Sequence, residues 1–135
     1  MRYLLDTNIC IYMIKRQHPE IIKKVLKIGF EDIGVSTISL AELEYGVANS
    51  SRPQEAQAAL FEFIIPFEMF DFTVAAASYY GKIRKELKEK GQPIGEMDML
   101  IASIAMANEL IVVTNNEKEF RRISRLRVEN WKNKE

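Results

Sequence analysis

Four short segments of the chain each place an acid or an amide where a secondary-structure element is expected to begin or end. The apolar strand pattern of Tyr3–Leu5 breaks at an aspartate, and the buried pattern of 110–113 ends in polar groups. Two expected helices begin with an acid in their first turn. A carboxylate at the C-terminal edge of a parallel strand lies where open α/β sheets bind ligands. The candidate functional side chains in these segments are Asp6, Glu42, Asp98 and Asn116.

Each acid also has a structural interpretation. Asp6 could be the N-cap that closes a strand-to-helix turn. Ser39 and Glu42 have the spacing of a capping box, in which the glutamate returns to the serine backbone. Asp98 could serve the helix dipole. However, it lies among the apolar and small residues 97–105, where a charge needs a partner or a metal.

Strand-length apolar runs alternate with helical periodicity along the chain, which predicts a parallel sheet with right-handed crossovers. Gly29 and Gly91 are expected to end helices, and Pro66 to stop another. The predicted strands are Tyr3–Leu5, Ile33–Ser36, 67–72 and 110–113. The predicted helices are 8–15, Pro19–Ile28, 39–48, Pro53–Ile64, 73–91, 97–108 and a last piece through Phe120.

Composition indicates one globular domain, 1–135, with 47% hydrophobic and 28% charged residues. No apolar run approaches the roughly 20 residues of a membrane span. The first residues meet an acid at Asp6 and lack the apolar core of a secretory signal, so we expect a cytoplasmic protein. The single cysteine, Cys10, lies among apolar residues and is expected to be a buried thiol.

The net charge is zero, but the charges are unevenly distributed. Residues 1–81 carry 7 Lys and Arg against 10 Asp and Glu, whereas residues 82–135 carry 12 against 9. Ten of the twelve basic residues of the second half fall in two clusters, 82–90 and 118–127. Such clusters can hold phosphates, although a solvated helix face is the commoner explanation for either one, and Glu86 and Glu89 interleave with the first.

The joint arrangement of these segments resembles the PIN-domain nucleases, and more closely the VapC toxins of bacterial toxin–antitoxin pairs. The resemblance spans nearly the whole chain, in order. The residues that carry it are Leu4-Leu5-Asp6-Thr7-Asn8, Ser36-x-Ile38-Ser39-Leu40-Ala41-Glu42, Asp98-x-x-Ile101-Ala102 and Val113-Thr114-Asn115-Asn116-x-x-Glu119-Phe120.

This resemblance implies a three-layer α/β/α fold with a central, mostly parallel sheet of about five strands. It also implies that Asp6, Glu42 and Asp98 hold Mg²⁺ or Mn²⁺. The family usually has a further acid after the fourth strand. Here that position is Asn116, with Glu119 three residues on, so either could complete the site. Thr7 could orient a water or a phosphate oxygen, or it could cap a helix.

The physical chemistry of such a site is consistent with the resemblance. Carboxylates about 4 Å apart repel by about 4 kcal/mol per pair at an effective dielectric near 20, so three stay ionised together only around a cation. Oxygen ligands favour a hard metal. That cation can activate water and offset charge on a scissile phosphate. With one histidine and one cysteine in the chain, a zinc site is not expected.

The family's activity predicts an endoribonuclease that cuts RNA, with tRNA, and initiator tRNA in particular, as the favoured substrate. The expected partners are a cognate VapB-type antitoxin and a second copy of the chain, giving a homodimer and a toxin–antitoxin hetero-oligomer. A non-catalytic RNA-binding or scaffold module on the same fold is the alternative. Nucleotide-binding glycine loops are absent, and position 8 is Asn rather than the second Asp of a phosphoaspartyl enzyme.

Overall fold

A computed structural model describes residues 2–133 as alternating strands and helices. The strands are β1 (Tyr3–Leu5), β2 (Ile33–Ser36), β3 (Glu68–Phe70), β4 (Ile111–Val113) and β5 (Val128–Glu129). The helices are α1 (Thr7–Ile14), α2 (Pro19–Ile28), α3 (Thr37–Ala48), α4 (Pro53–Ile64), α5 (Val74–Lys90), α6 (Glu96–Ala107) and α7 (Glu117–Phe120). A single 3₁₀ turn, Phe30–Asp32, precedes β2.

The five strands form one sheet in the order β3-β2-β1-β4-β5, and every neighbouring pair is parallel. Leu5 of β1 is in register with Val35 on one side and with Val113 on the other. All the strands therefore end at the same edge of the sheet. The residues that follow β1, β2 and β4 are brought together there, although they lie far apart in the sequence.

The central strands are buried on both faces, as expected for a parallel sheet covered by helices. One face packs Leu4 and Val112 against α5 and α6, and the other packs Leu5 and Val113 against α1 to α4. The three-layer α/β/α prediction is therefore confirmed. Gly34 of β2 allows the ring of Phe70 to approach the sheet closely, since a Cβ there would lie 2.3 Å from the ring.

Most predicted elements occur within one or two residues of their expected bounds. The strand predicted at 67–72 is shorter, Glu68–Phe70, because Phe67 packs in the core without pairing in the sheet. The strand pattern did not reveal β5, whose two residues are too few to show an alternation. The prediction that α3 begins at Ser39 was wrong, since the helix begins at Thr37.

Two features of composition have structural counterparts. Cys10 is fully buried in the cluster that contains Leu5 and Ile9, and burial raises the pKa of its thiol well above the ordinary value. It therefore packs as a small apolar side chain, as predicted. Within residues 2–133, no helix combines the length and apolar character needed to cross a bilayer.

Candidate active site

Asp6 lies at the C-terminal end of β1 and is almost completely buried, with 3% of its surface exposed. Its side chain caps α1 by accepting a hydrogen bond from the backbone N–H of Ile9 at 3.0 Å. It also accepts a hydrogen bond from the hydroxyl of Thr114, which follows β4. The N-cap interpretation and the functional one are thus compatible, because two bonds fix the carboxylate while it still lines a pocket.

The buried Thr114 hydroxyl connects two strand ends. Its oxygen also accepts the backbone N–H of Asn116 at 2.8 Å. The adjacent register of β1 and β4 makes this contact possible, and the backbone N–H of Asp6 bonds to Val113 O at 3.0 Å. A change at Thr114 would therefore alter both the orientation of Asp6 and the course of the turn that carries Asn116.

Glu42 is not part of a capping box. The N-cap of α3 is Ser36, whose hydroxyl accepts the backbone N–H of Ser39 at 3.0 Å. The proposed Ser39–Glu42 box was wrong because strand β2 runs as far as Ser36, which therefore reaches the helix start first. Glu42 then lies a turn further into α3, and its carboxylate accepts a hydrogen bond from the Thr7 hydroxyl at 2.5 Å.

Thr7 holds Glu42 in place from the first turn of α1. Its Oγ1 lies 2.5 Å from Glu42 Oε1 and 3.0 Å from the buried hydroxyl of Ser39. Thr7 does not cap α1, since Asp6 does. Its hydroxyl therefore joins α1 to α3 at the pocket, where the Ser39 hydroxyl is its second neighbour.

Asp98 lies in the first turn of α6, whose N-cap is Gly95 and has no capping side chain. The following residues Met99 and Ile101–Ala105 are buried, so the apolar segment noted in the sequence packs in the core. Asp98 itself is half-buried and lines the same pocket as Asp6 and Glu42. Asp98 can therefore both interact with the dipole of α6 and contribute to the pocket.

Burial, together with neighbouring negative charges, raises the pKa of two of these acids, Asp6 and Asp98. Burial raises the pKa of Asp6 to about 6, and the negative charges of Asp98 and Glu42 add to this, against the hydrogen bonds from Thr114 and Ile9. Burial also raises the pKa of Asp98 to about 6, with Glu119 and Glu42 as the next causes and a hydrogen bond from Asn116 opposing them. A bound cation would relieve this repulsion.

Asn116 and Glu119, the two alternatives for the fourth position, are neighbours that both act on Asp98, although neither lines the pocket. The Asn116 amide nitrogen donates to Glu119 Oε2 at 2.9 Å and also bonds to Asp98. Glu119 in turn raises the pKa of Asp98 through its charge. The Asn116 amide therefore bonds to both carboxylates, and their mutual repulsion persists beside it.

The pocket has a volume of about 410 Å³ and is lined by Asp6, Thr7, Glu42 and Asp98 among others. Its charged groups are all oxygen donors, a set that fits a hard divalent cation. Within residues 2–133, however, no three His, Cys, Asp or Glu side chains are already gathered closely enough to share an ion. The donor chemistry fits a metal. For the carboxylates to ligate one ion together, their side chains would need to turn toward each other.

Sequence reasoning missed the positioning roles of Thr114 and Ser39. A fully buried hydroxyl directly after a strand was the available signal for Thr114. Nothing in the sequence indicated that Tyr45 and Met97, two exposed side chains, line the acidic pocket. Tyr45 lies three residues after Glu42 and Met97 directly precedes Asp98, and neither carries any other signal in the sequence.

The two basic clusters lie against each other. Within 82–90, Lys90 pairs with Glu86 at 2.7 Å and Lys85 with Glu89 at 3.8 Å, as on a solvated helix face. Lys90 also contacts the backbone of Arg122. Arg121 and Arg122 donate to the backbone carbonyls of Val128 and Pro93 at 3.2 and 2.8 Å, so these two guanidinium groups support the fold.

Comparison with known proteins identifies the family. The PIN domain model matches residues 3–126. Ribonuclease VapC2 of Rickettsia felis is 45% identical over 97% of this chain and 98% of its own length. The tRNA(fMet)-specific endonuclease VapC of Salmonella typhimurium is 40% identical over 97% of this chain and 98% of its own length.

Solved structures agree with these relatives. VapBC2 from Rickettsia felis, bound to a DNA fragment from its promoter, contains a chain that is 42% identical, with a TM-score of 0.92 over 97% of this chain and 99% of that one. DNA-bound VapBC from Salmonella typhimurium matches at 39% identity and a TM-score of 0.91, over 97% and 98%. The similarity therefore covers the complete fold and the segments that carry the acids.

Proposed function

The chain belongs to the PIN-domain family and to its VapC ribonucleases, and from this we propose that it hydrolyses RNA with Asp6, Glu42 and Asp98 as ligands of a divalent cation. It is an endoribonuclease and the toxin component of a toxin–antitoxin pair. The observation that carries the ligand assignment is that the three carboxylates line one pocket and that two of them have a raised pKa. We propose Mg²⁺ or Mn²⁺ as the ion.

When bound, such an ion supplies a water-derived nucleophile and offsets charge on the scissile phosphate. The chain's own residues prepare the site. Thr114 and the start of α1 hold Asp6 in one orientation, and Thr7 holds Glu42. Asn116 holds Glu119 and bonds to Asp98. The burial of Asp6 limits screening of its charge by bulk water, which strengthens its attraction for a cation.

We propose tRNA as the substrate, with initiator tRNA favoured. The relatives from Salmonella typhimurium and Shigella flexneri, which are 40% and 37% identical, are named tRNA(fMet)-specific endonucleases. Incubating the purified chain with total bacterial RNA and Mg²⁺, followed by mapping of new 5′ ends, tests this directly. We expect a dominant cut in initiator tRNA that disappears with EDTA.

The matched control is Asp98→Asn, which keeps the size of the side chain and removes its charge. The same new ends in this variant would indicate a contaminating nuclease. Reproducible ends that map to ribosomal RNA and leave tRNA intact would keep the nuclease assignment and reject the substrate.

The alternative considered from the sequence, a non-catalytic RNA-binding module, is tested at the metal site, because the carboxylates of residues 2–133 are not gathered around one point. Titration of the wild-type chain with Mn²⁺ in a calorimeter separates the two. We expect saturable heat that is lost in Glu42→Gln. A wild-type chain that takes up no Mn²⁺ and cuts no RNA would favour the module.

A groove beside the acids fits a helix of the antitoxin. A cavity of about 370 Å³ lies between α1, α3 and α4, with mainly apolar walls that include Ile11, Leu43 and Leu60. Glu42 also lines it, so a helix laid in this groove could direct a basic side chain toward the carboxylates. We propose that a cognate VapB-type antitoxin binds there. We also propose a homodimer. We propose a cytoplasmic location, since tRNA, the proposed substrate, is found in the cytoplasm.

A further inference from the structure

A second polar pocket lies at the opposite edge of the sheet from the acids. Its volume is about 440 Å³, and its walls include Tyr79 of α5, the segment after α6, and the segment before β5. Leu110 and Arg127, which line it, directly precede β4 and β5. Because the strands are parallel, this pocket is at their N-terminal ends, whereas Asp6 follows the C-terminal end of β1.

Two arginines of the 118–127 cluster line this pocket, and their charges are available. Arg125 and Arg127 are exposed, and neither guanidinium group forms an ion pair or a hydrogen bond within residues 2–133. Arg121 and Arg122 of the same cluster are instead bonded to backbone carbonyls. Glu109 is the one acid that lines the pocket, and it pairs with neither arginine, so the lining carries a net positive charge.

An aromatic ring and a third cation adjoin the two arginines. The half-buried Tyr79 forms part of the wall, and Lys82 Nζ lies 5.6 Å from the centre of its ring. Basic groups interleaved with an aromatic face are typical of surfaces that follow a nucleic acid backbone. Arg125 has a φ of 68°, a left-handed conformation that is costly for a non-glycine residue, yet the fold maintains it at the pocket wall.

We propose that this pocket binds the sugar–phosphate backbone of the RNA at a point remote from the scissile bond. The inference rests on the proposed function for the identity of the polyanion. Guanidinium forks match phosphate oxygens in shape and charge. The acidic pocket repels phosphates unless a cation is bound, so affinity for a long RNA needs a positive surface elsewhere.

The size of the domain makes the two pockets separable by experiment. A domain of this length has a radius of gyration of about 14 Å. A folded RNA such as tRNA can therefore contact both edges of the sheet, whereas a short oligonucleotide that fills the acidic pocket cannot.

The test compares Arg125→Gln/Arg127→Gln with the wild-type chain in binding to labelled bulk tRNA across a series of salt concentrations. We expect the double variant to bind tRNA about tenfold more weakly near 0.1 M salt, with a slope of log affinity against log salt that is shallower by one to two. The loss for a short single-stranded oligonucleotide should be at least about fivefold smaller. The control, Lys23→Gln/Lys24→Gln, removes the same charge from exposed positions on α2.

Three results would overturn the inference: unchanged tRNA affinity and slope, equal losses for tRNA and the oligonucleotide, or an equal loss in the α2 control. Binding of a polyglutamate peptide that is lost in Arg125→Gln/Arg127→Gln but does not compete with tRNA would also reject it, in favour of an acidic protein partner. Thermal unfolding of both double variants confirms that they are folded. Failure of the proposed function is distinguishable, since it is judged by Mg²⁺-dependent cleavage of RNA by the wild-type chain.

Discussion

Replacing Asp6 with Asn should stabilise the metal-free protein at neutral pH, even though it removes a group proposed to be essential for activity. Asparagine has the same shape and can still accept the Ile9 N–H, and its amide can donate to Thr114. What it lacks is the negative charge that the fold holds, almost fully buried, beside Asp98 and Glu42.

The size of the effect follows from the pKa of Asp6, which the fold raises from 3.8 to about 6. A shift of about two units corresponds to about 3 kcal/mol. Below the unfolded value of 3.8 the group is neutral in both states and costs nothing. As the pH rises toward 6, the unfolded chain ionises while the folded one resists, so the wild type loses stability and the full cost remains above that pH.

Urea unfolding in EDTA, followed by circular dichroism from pH 4 to pH 8, measures the difference between wild type and variant. We expect near-zero difference at pH 4, and at pH 8 a gain for Asp6→Asn of up to about 3 kcal/mol, or about 10 °C in Tm. Adding Mn²⁺ should stabilise the wild type and reduce this gain.

Asp71→Asn is the matched control, because Asp71 also follows a strand but is exposed. It should show no such pH-dependent gain. A variant at position 6 that is less stable than the wild type at pH 8 in EDTA, or that differs equally at pH 4 and pH 8, would show that hydrogen bonding to the carboxylate outweighs its burial and repulsion.

The remaining predictions concern the other acids and the sheet. Glu42→Gln and Asp98→Asn should each lower Mg²⁺-dependent RNA cleavage at least about a hundredfold with the fold intact, and near wild-type activity in either would reject its ligand role. Glu119→Gln should weaken Mn²⁺ binding in calorimetry by about tenfold, because it removes a charge that acts on Asp98; unchanged binding would assign the fourth position to the amide alone. Gly34→Ala should cost about 1 to 3 kcal/mol in urea unfolding, since its Cβ would lie 2.3 Å from the Phe70 ring, and combining it with Phe70→Leu should recover part of that loss.

Local sequence patterns were sufficient for most of the elements. Apolar runs, prolines at helix starts and glycines at helix ends depend on interactions within a few residues, which explains why Pro19–Ile28, Ile33–Ser36 and Pro53–Ile64 matched the structure. The prediction of acids at element ends was local in the same sense. Their assembly into one site, by contrast, came from resemblance and from the general behaviour of parallel sheets.

Where two local signals competed, the sequence could not choose between them. Ser36 and Ser39 are both good N-cap residues, and the choice of Ser36 depends on how far β2 stays paired with its neighbours in the sheet. Because Ser36 is the N-cap, Glu42 has no capping role, and its carboxylate accepts a hydrogen bond from Thr7 instead. A two-residue strand such as Val128–Glu129 likewise exists only because β4 lies beside it.

The sequence by itself thus determined the alternation of strands and helices, the chemical identity of the acids, and their positions at element ends. Only the tertiary structure decided that β4 lies beside β1, which brings Thr114 onto Asp6, and that the 118–127 cluster divides into arginines bonded to carbonyls and arginines left free. The physical reason is that strand order and side-chain partners depend on contacts between residues up to about a hundred positions apart, which local propensity does not encode.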